Sequence, residues 1–151
     1  MAELKGITPQ EMLAIAMQGY QFYEQGRYDK AKIIFEGLCS LEPKEAYYRT
    51  ALGAVYLAMD DLPMAEQLLT AAISISSDEL ASYVNRGEVY LRQGKILEAA
   101  QDFKRAVELD PDQKDPISQR ARLLAAATLE TIRSAQRKSG GAQPATPLKK
   151  K

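Results

Sequence analysis

Side chains that could perform catalytic chemistry are scarce in this chain of 151 residues. It contains no histidine, the most frequent general base and metal ligand. Its one cysteine, Cys39, can form neither an internal disulfide nor a zinc site by itself. Leu38 and Leu41 accompany Cys39 late in a predicted helix, so we expect a buried structural thiol. Because carboxylate pairs in a predicted pocket and glycine-rich phosphate loops are also lacking, the sequence predicts neither an enzyme nor a cofactor or metal site.

Tyrosine is the side chain best suited to another kind of chemistry, the binding of a peptide. Its ring offers a large apolar area, and its hydroxyl can bond a peptide backbone. Tyr20, Tyr23 and Tyr47 fall outside the helix-packing register described below, and we predict that they contact a ligand. We expect the other tyrosines to pack in the interior: Tyr28, Tyr48, Tyr56, Tyr83 and Tyr90.

An internal sequence repeat predicts where these residues lie in the fold. Gly19, Gly53 and Gly87 lie 34 residues apart. Three further sets keep the interval: Ala31, Ala65 and Ala99; Phe22, Tyr56 and Tyr90; and Phe35, Leu69 and Phe103. A 34-residue period is typical of the tetratricopeptide repeat, a stacked helix–turn–helix unit. We therefore predict an all-α solenoid of three tetratricopeptide repeats, at residues 12–45, 46–79 and 80–113.

Capping residues predict where several helices begin and end. Thr8 and Glu11 form a capping box around Pro9, which fits a first helical turn. Gly26 suits the left-handed conformation that ends a helix. Asp61 can cap the second helix of the middle repeat, and residues 76–79 resemble a second capping box.

Outside the repeats, we predict a capping helix at residues 116–138. Its apolar stripe should cover the last repeat: Ile117, Ala121, Leu124, Thr128 and Ile132. Arg120 falls on the opposite side, which we expect to face solvent. Residues 1–7 are predicted to be a short lead-in. Residues 139–151 are rich in Gly, Pro, Ala and Lys and are predicted to be disordered, because they cannot bury enough surface to order themselves.

The first helix of each tetratricopeptide repeat lines the concave side of the stack. Twelve residues occupy its inward positions: Leu13, Ala16, Tyr20, Tyr23, Tyr47, Thr50, Ala54, Leu57, Ala81, Val84, Glu88 and Leu91. Only Glu88 among them carries a charge. We therefore predict a peptide-binding groove for an extended segment with a few apolar anchors, each contributing about 1.5–3 kcal/mol before ordering costs.

The composition limits the kinds of partner that we expect for this chain. The chain has 20 basic and 20 acidic residues, a balance that argues against nucleic acid. Apolar runs are too short to cross a bilayer, and the first residues do not resemble a signal peptide. We expect a soluble cytoplasmic protein that does not insert into membranes.

Three segments resemble a known family: residues 23–31, residues 35–41 with the pattern Phe-x-x-Leu-Cys-x-Leu, and residues 52–59 with the pattern Leu-Gly-Ala…Ala-Met. Over roughly residues 11–133, the chain resembles the class II chaperones of type III secretion systems, the LcrH/SycD-like family. The second and third segments are the more specific ones.

The resemblance implies a cytoplasmic chaperone that holds an extended segment of a hydrophobic translocator protein before secretion. It also implies that Tyr20, Tyr23, Tyr47 and Leu57 form the pockets of the groove. Members of the family often dimerise through a helix ahead of the first repeat. Only about seven residues precede it here, so we expect at most a weak homodimer.

The repeats also allow two other interpretations. One is a general tetratricopeptide scaffold or adaptor in a different bacterial assembly. The other is the clamp with which some tetratricopeptide proteins bind the carboxylate end of heat-shock chaperones through Lys, Asn and Arg. Four of the five matching places here lack such donors, since they hold Ala16, Tyr20, Ala51 and Ala81, and only Asn85 supplies one. The sequence therefore argues against the clamp.

Overall fold

The protein is an array of seven helices over residues 6–142, the part of the chain that this computed structural model describes. The helices are α1 (Pro9–Glu24), α2 (Tyr28–Leu41), α3 (Ala46–Ala58), α4 (Leu62–Ile75), α5 (Leu80–Arg92), α6 (Ile96–Leu109) and α7 (Ile117–Ala142). The pairs α1/α2, α3/α4 and α5/α6 each pack closely, and α7 packs against α6 and α5. The predicted all-α architecture of three helix pairs and a capping helix is confirmed.

A glycine and a large side chain meet at the crossing of each pair. Gly53 faces Leu69 so closely that a Cβ on the glycine would lie 2.7 Å from Leu69 Cγ. Gly19 faces Phe35 and Gly87 faces Phe103 in the same manner. Ala31, Ala65 and Ala99 are fully buried on the second helices. The 34-residue interval therefore preserves a close helix crossing.

The turn within each pair needs a left-handed residue. Gly26 and Gly94 have φ angles of 77° and 78° at this place. Asp60 occupies the same place in the middle pair with φ 63°, although its side chain carries a Cβ. The next residue, Asp61, caps α4 by accepting a hydrogen bond from the Met64 amide at 3.3 Å, as predicted.

The first predicted capping box is confirmed and the second is wrong. The Thr8 hydroxyl accepts from the Glu11 amide, and the Glu11 carboxylate accepts from the Thr8 amide. At residues 76–79, Ser76 instead ends α4, and its hydroxyl donates to Asp78 at 2.8 Å. The helix α5 starts only after Glu79, which allows Leu80 to enter the core.

Two apolar clusters form the core of the described residues, and α5 belongs to both. The first cluster fills the first two pairs and includes Val89 of α5. The second joins Leu80, Tyr83 and Val84 of α5 to residues of α6 and α7. Between α5 and α6, Arg86 forms two 2.8 Å hydrogen bonds with the buried Asp102 carboxylate.

The capping helix buries its predicted apolar stripe. Ala121 and Thr128 are buried, and Ile117, Leu124 and Ile132 are half-buried. The helix does not end at Lys138 but continues through Ala142, because extending an existing helix is far easier than starting one, even across glycine. The rest of the predicted tail, residues 143–151, and residues 1–5 of the lead-in lie outside the described residues. Among residues 6–142, no helix combines the length and apolar character required to span a bilayer.

Candidate functional site

Four helices lie side by side and form one face of the molecule, which we call the inner face: α1, α3, α5 and α7. The rings of Tyr20 on α1 and Tyr47 on α3 have their centroids 6.1 Å apart. Arg92 on α5 donates to the Leu57 carbonyl at the end of α3, at 3.1 Å. Arg120 on α7 forms an ion pair with Glu88 on α5. The inner face is thus continuous from the first helix to the last.

The twelve residues predicted to line a groove differ widely in accessibility. Leu13 and Tyr20 are exposed, by 59% and 39%. Six are half-buried: Tyr23, Tyr47, Ala54, Ala81, Glu88 and Leu91. The remaining four are buried: Ala16, Thr50, Leu57 and Val84. A ligand on the inner face could therefore reach eight of the twelve side chains.

The four buried residues lie beneath the inner face and not on it. Val84 is only 1% exposed because it belongs to the second apolar cluster with Ala106 and Ala121. Leu57 and Ala16 belong to the first cluster. Their inward positions follow the helical period, but neighbouring helices cover these side chains. The prediction that these residues line an open groove is therefore corrected.

The reachable tyrosines form a chain of rings across α1 and α3. Tyr20 contacts Tyr23 edge-on at a centroid distance of 6.4 Å and continues to Tyr47. The chain extends at each end to residues predicted to be structural, Tyr28 at 5.8 Å and Tyr48 at 5.7 Å. We call these five residues the tyrosine chain. Since all of them except Tyr20 are half-buried, they present fixed ring surfaces to a ligand.

The phenols of Tyr23 and Tyr47 stay protonated at neutral pH, because the pKa of each is raised. Burial raises the pKa of Tyr47, and a hydrogen bond with Tyr20 raises it further. Burial also raises the pKa of Tyr23, with smaller contributions from Tyr28 and Glu88, whereas Arg120 lowers it. Glu88 and Arg120 lie on α5 and α7, the two other helices of the inner face. Protonated phenols can both donate to and accept from a peptide backbone.

Charged residues gather at the other end of the inner face. Glu88 pairs with Arg120, and Arg92 lies one turn beyond Glu88 on the same side of α5. Sequence reasoning assigned Arg120 to the solvent side of α7 and did not single out Arg92. The signal that could have found them was Glu88 itself, since a lone carboxylate at an inward position needs a cationic partner.

A second carboxylate, that of Glu79, connects the start of α5 to α3. The Thr50 hydroxyl contacts a carboxylate oxygen of Glu79, and the same hydroxyl lies 3.2 Å from the Ala46 carbonyl. Burial raises the pKa of Glu79, although the hydrogen bond from Thr50 opposes that effect. This contact ties the two helices together at the edge of the inner face.

Two clefts lie between α6 and α7. One cleft of about 460 Å³ is lined mainly by Ile96, Leu97, Ile132 and Ala135. A second, of about 300 Å³, includes Leu129. None of the twelve predicted residues lines either of these two clefts. Among residues 6–142, no group of three or more His, Cys, Asp or Glu side chains is arranged to hold a metal ion.

Family models agree with this geometry. The model described as tetratricopeptide repeat matches residues 14–44, and a second model of the same description matches residues 81–113. The chain has the tetratricopeptide-repeat fold. The middle helix pair, residues 46–75, shares the glycine crossing of its neighbours and completes the stack of three repeats.

Solved tetratricopeptide-repeat structures share this arrangement over most of their length. The type III secretion translocator chaperone SycD of Yersinia enterocolitica has a TM-score of 0.77 and 22% identity, covering 87% of this chain and 92% of SycD. PcrH in complex with the chaperone-binding region of PopD has a TM-score of 0.76 and 23% identity, covering 84% of this chain and 97% of PcrH. At such identities the likeness shows the fold.

Curated relatives match part of this chain. DnaJ homolog subfamily C member 3 of Mus musculus is 35% identical over 89 residues, covering 59% of this chain and 17% of the relative. RNA polymerase II-associated protein 3 of Mus musculus is 24% identical over 106 residues, covering 70% of this chain and 16% of the relative. The chain therefore spans about a sixth of the length of these relatives.

Proposed function

We propose that this protein is a peptide-binding chaperone that holds an extended, apolar-anchored segment of a hydrophobic translocator protein on its inner face, in the cytoplasm, before type III secretion. The tyrosine chain across α1 and α3 carries this proposal. Its exposed member, Tyr20, is supported from below by Phe35, with ring centroids 5.8 Å apart. A rigid aromatic surface of this kind can bury an apolar side chain without losing much conformational entropy.

The structural relatives support the same function. PcrH has been solved with the chaperone-binding regions of PopD and of PopB, and SycD with a peptide of the translocator YopD. Those likenesses cover 79–84% of this chain. Holding an aggregation-prone segment needs only binding energy, because occupying the segment lowers the concentration of its free form. No catalytic step is required, and we propose that the protein is not an enzyme.

A peptide-binding experiment tests the proposal. Fluorescent peptides tiling the hydrophobic translocator encoded in the same genome would be titrated with the protein and followed by anisotropy. We expect one or a few tiles to bind, and Tyr20→Ala to weaken them about tenfold or more, since an aromatic anchor contributes about 1.5–3 kcal/mol. Circular dichroism would verify that the variant keeps its helices.

Ile33→Ala is the matched control. Ile33 is also an exposed apolar residue, 68% accessible, but it lies on α2, away from the inner face. Its removal should leave peptide affinity unchanged. Failure of every tile to bind, or equal weakening by both substitutions, would exclude the inner face as the peptide site.

The alternative function, a general tetratricopeptide adaptor, is favoured by the curated relatives, neither of which is named as a secretion chaperone. A tetratricopeptide domain of RPAP3 has also been solved with the HSP90 peptide SRMEEVD, at TM-score 0.67 and 22% identity, covering 80% of this chain and 95% of that one. Titration with SRMEEVD separates the two functions. We expect no binding, because Ala16, Ala51 and Ala81 offer no side-chain donors to its terminal carboxylate.

A further inference from the structure

The charged end of the inner face holds four charged side chains in two pairs. Glu88 on α5 pairs with Arg120 on α7. Arg92 on α5 lies 3.5 Å from the carboxylate of Asp60 and also donates to the Leu57 carbonyl of α3 at 3.1 Å. Arg92 is therefore held against α3, whereas Arg120 is held only by its pair with Glu88.

The two charges of the ion pair differ in accessibility. The Glu88 side chain is 19% exposed, whereas that of Arg120 is 57% exposed. A guanidinium group carries five N–H donors in a planar fork, and one nitrogen of Arg120 contacts Glu88. The more accessible partner can therefore meet a second carboxylate while keeping its first one, and planar pairing with carboxylates is what arginine favours.

The Glu88–Arg120 pair lies on the same inner face as the tyrosine chain. Tyr20 on α1 contacts Tyr47 on α3, and Arg92 on α5 donates to a carbonyl of α3, so α5 lies directly beside α3. A ligand whose apolar side chains lie against the tyrosine chain and which continues along the inner face therefore reaches Arg120 on α7.

We propose that Arg120, held by Glu88, is a specificity-determining residue that pairs with an acidic side chain flanking the apolar anchors of the bound segment. This proposal rests on the proposed function, since it assigns the chemistry of the same ligand. The preferred segment is then amphipathic, with apolar residues on α1 and α3 and an aspartate or glutamate toward α7. Because Arg120 is part of the capping helix, that helix contributes to recognition as well as covering the last repeat.

The experiment uses the tile that binds most tightly in the anisotropy series. Peptides carrying glutamate, glutamine or lysine at each position beside the apolar anchors would be titrated with the full chain. Ion pairs with exposed side chains contribute little, so at one position we expect glutamate to bind about two- to fivefold more tightly than glutamine. This preference should decrease as salt is added, because both charges are partly in water.

Two variants of Arg120 test the assignment. Arg120→Ala should bind the glutamate and glutamine peptides equally, and Arg120→Glu should prefer the lysine peptide. Arg137→Ala is the control, because Arg137 is also an exposed arginine of α7 but pairs with Glu130 of its own helix. It should keep the full preference for glutamate. Circular dichroism would establish that each variant is folded.

The possible failures are distinguishable. If tiles bind but glutamate and glutamine are equivalent at every position, the role of Arg120 is refuted while the chaperone function stands. The same conclusion follows if the preference survives in Arg120→Ala. If no tile binds the wild-type chain, both the function and this inference are refuted.

Discussion

Asp60 shows how one residue can depart from the repeat while keeping its geometry. It adopts φ 63° where the other two repeats have Gly26 and Gly94 at 77° and 78°. A side chain in the left-handed region costs roughly 1 kcal/mol or more, because Cβ crowds the backbone. Aspartate reduces this cost through local hydrogen bonding but does not remove it.

Asp60→Gly should therefore stabilise the protein, by about 0.5–1 kcal/mol in the free energy of unfolding. The exposed ion pair with Arg92 is lost, but pairs of this kind contribute little. Urea denaturation would measure the gain. Gly94→Ala, which adds a Cβ at the equivalent place, should have the opposite sign, and a stabilising Gly94→Ala would contradict the explanation.

Glu79 gives the protein a stability term that depends on pH. Burial raises the pKa of Glu79 in the folded state above its ordinary value of 4.5. The folded state thus binds the proton more tightly, so this stabilisation is complete below pH 4.5 and is lost as the pH rises through the folded pKa. At pH 7 the partly buried carboxylate is a net disadvantage.

Glu79→Gln removes this disadvantage. The variant should melt at a higher temperature than the wild type at pH 7, and the difference should shrink toward zero below pH 4.5. Glu98→Gln is the control, because Glu98 is exposed in the first turn of α6, where a carboxylate stabilises the helix; this variant should not melt at a higher temperature at pH 7. A melting temperature for Glu79→Gln at or below that of the wild type at pH 7 would contradict the assignment.

The sequence predicted the positions of some residues correctly and of others incorrectly, and the difference has a physical reason. The period located Gly19, Gly53 and Gly87 correctly, because a helix crossing needs a small residue in every repeat. It misplaced Val84 and Leu57, because the period gives the direction of a side chain along its own helix but not what the next helix covers. Arg120 was missed because its partner, Glu88, lies on a different helix, beyond any local pattern.

At the scale of the helices, the sequence predicted the pairs and most of the boundaries. Start signals that depend on local hydrogen bonds, such as the Thr8 box, were reliable. The box at residues 76–79 failed because the burial of Leu80 decided where α5 begins. Tyr28 and Tyr48, predicted to be purely structural, are half-buried and their rings form the ends of the tyrosine chain.

The helix crossings also predict opposite effects for two glycine substitutions. Gly87→Ala would place a Cβ within 2.8 Å of three carbons of the Phe103 ring, which is fully buried and cannot move aside. We expect a loss of about 1–3 kcal/mol in the free energy of unfolding. Gly37, on α2, has nothing within 4 Å of the same added atom.

Gly37→Ala should instead stabilise the protein by about 0.5–1 kcal/mol, through helix propensity alone. Urea denaturation of both variants would measure the two effects under the same conditions. Stabilisation by both substitutions would mean that α5 and α6 cross less closely at Gly87 than the structure shows.

At the scale of the whole molecule, each helix pair contacts mainly its neighbours, and α5 connects the two apolar clusters. In such a stack, stability is roughly a sum of repeat and interface terms, so a local defect stays local. Tyr23, Tyr28 and Tyr48 of the tyrosine chain pack against the first apolar cluster, whereas Arg120 lies on α7, which packs against the second. The two parts of the proposed site therefore depend on different portions of the core.

Ala121→Leu tests this division. Ala121 is fully buried where α7 meets the second cluster, so the larger side chain should overpack that end and cost about 1–3 kcal/mol. Hydrogen exchange should show faster exchange in α5, α6 and α7, with α1 and α2 retaining most of their protection. Ala127→Leu, at an exposed position of the same helix, should leave exchange unchanged. Equal loss of protection in all helices would mean that the array unfolds as one unit. The tyrosine chain and the Glu88–Arg120 pair could then not be perturbed separately.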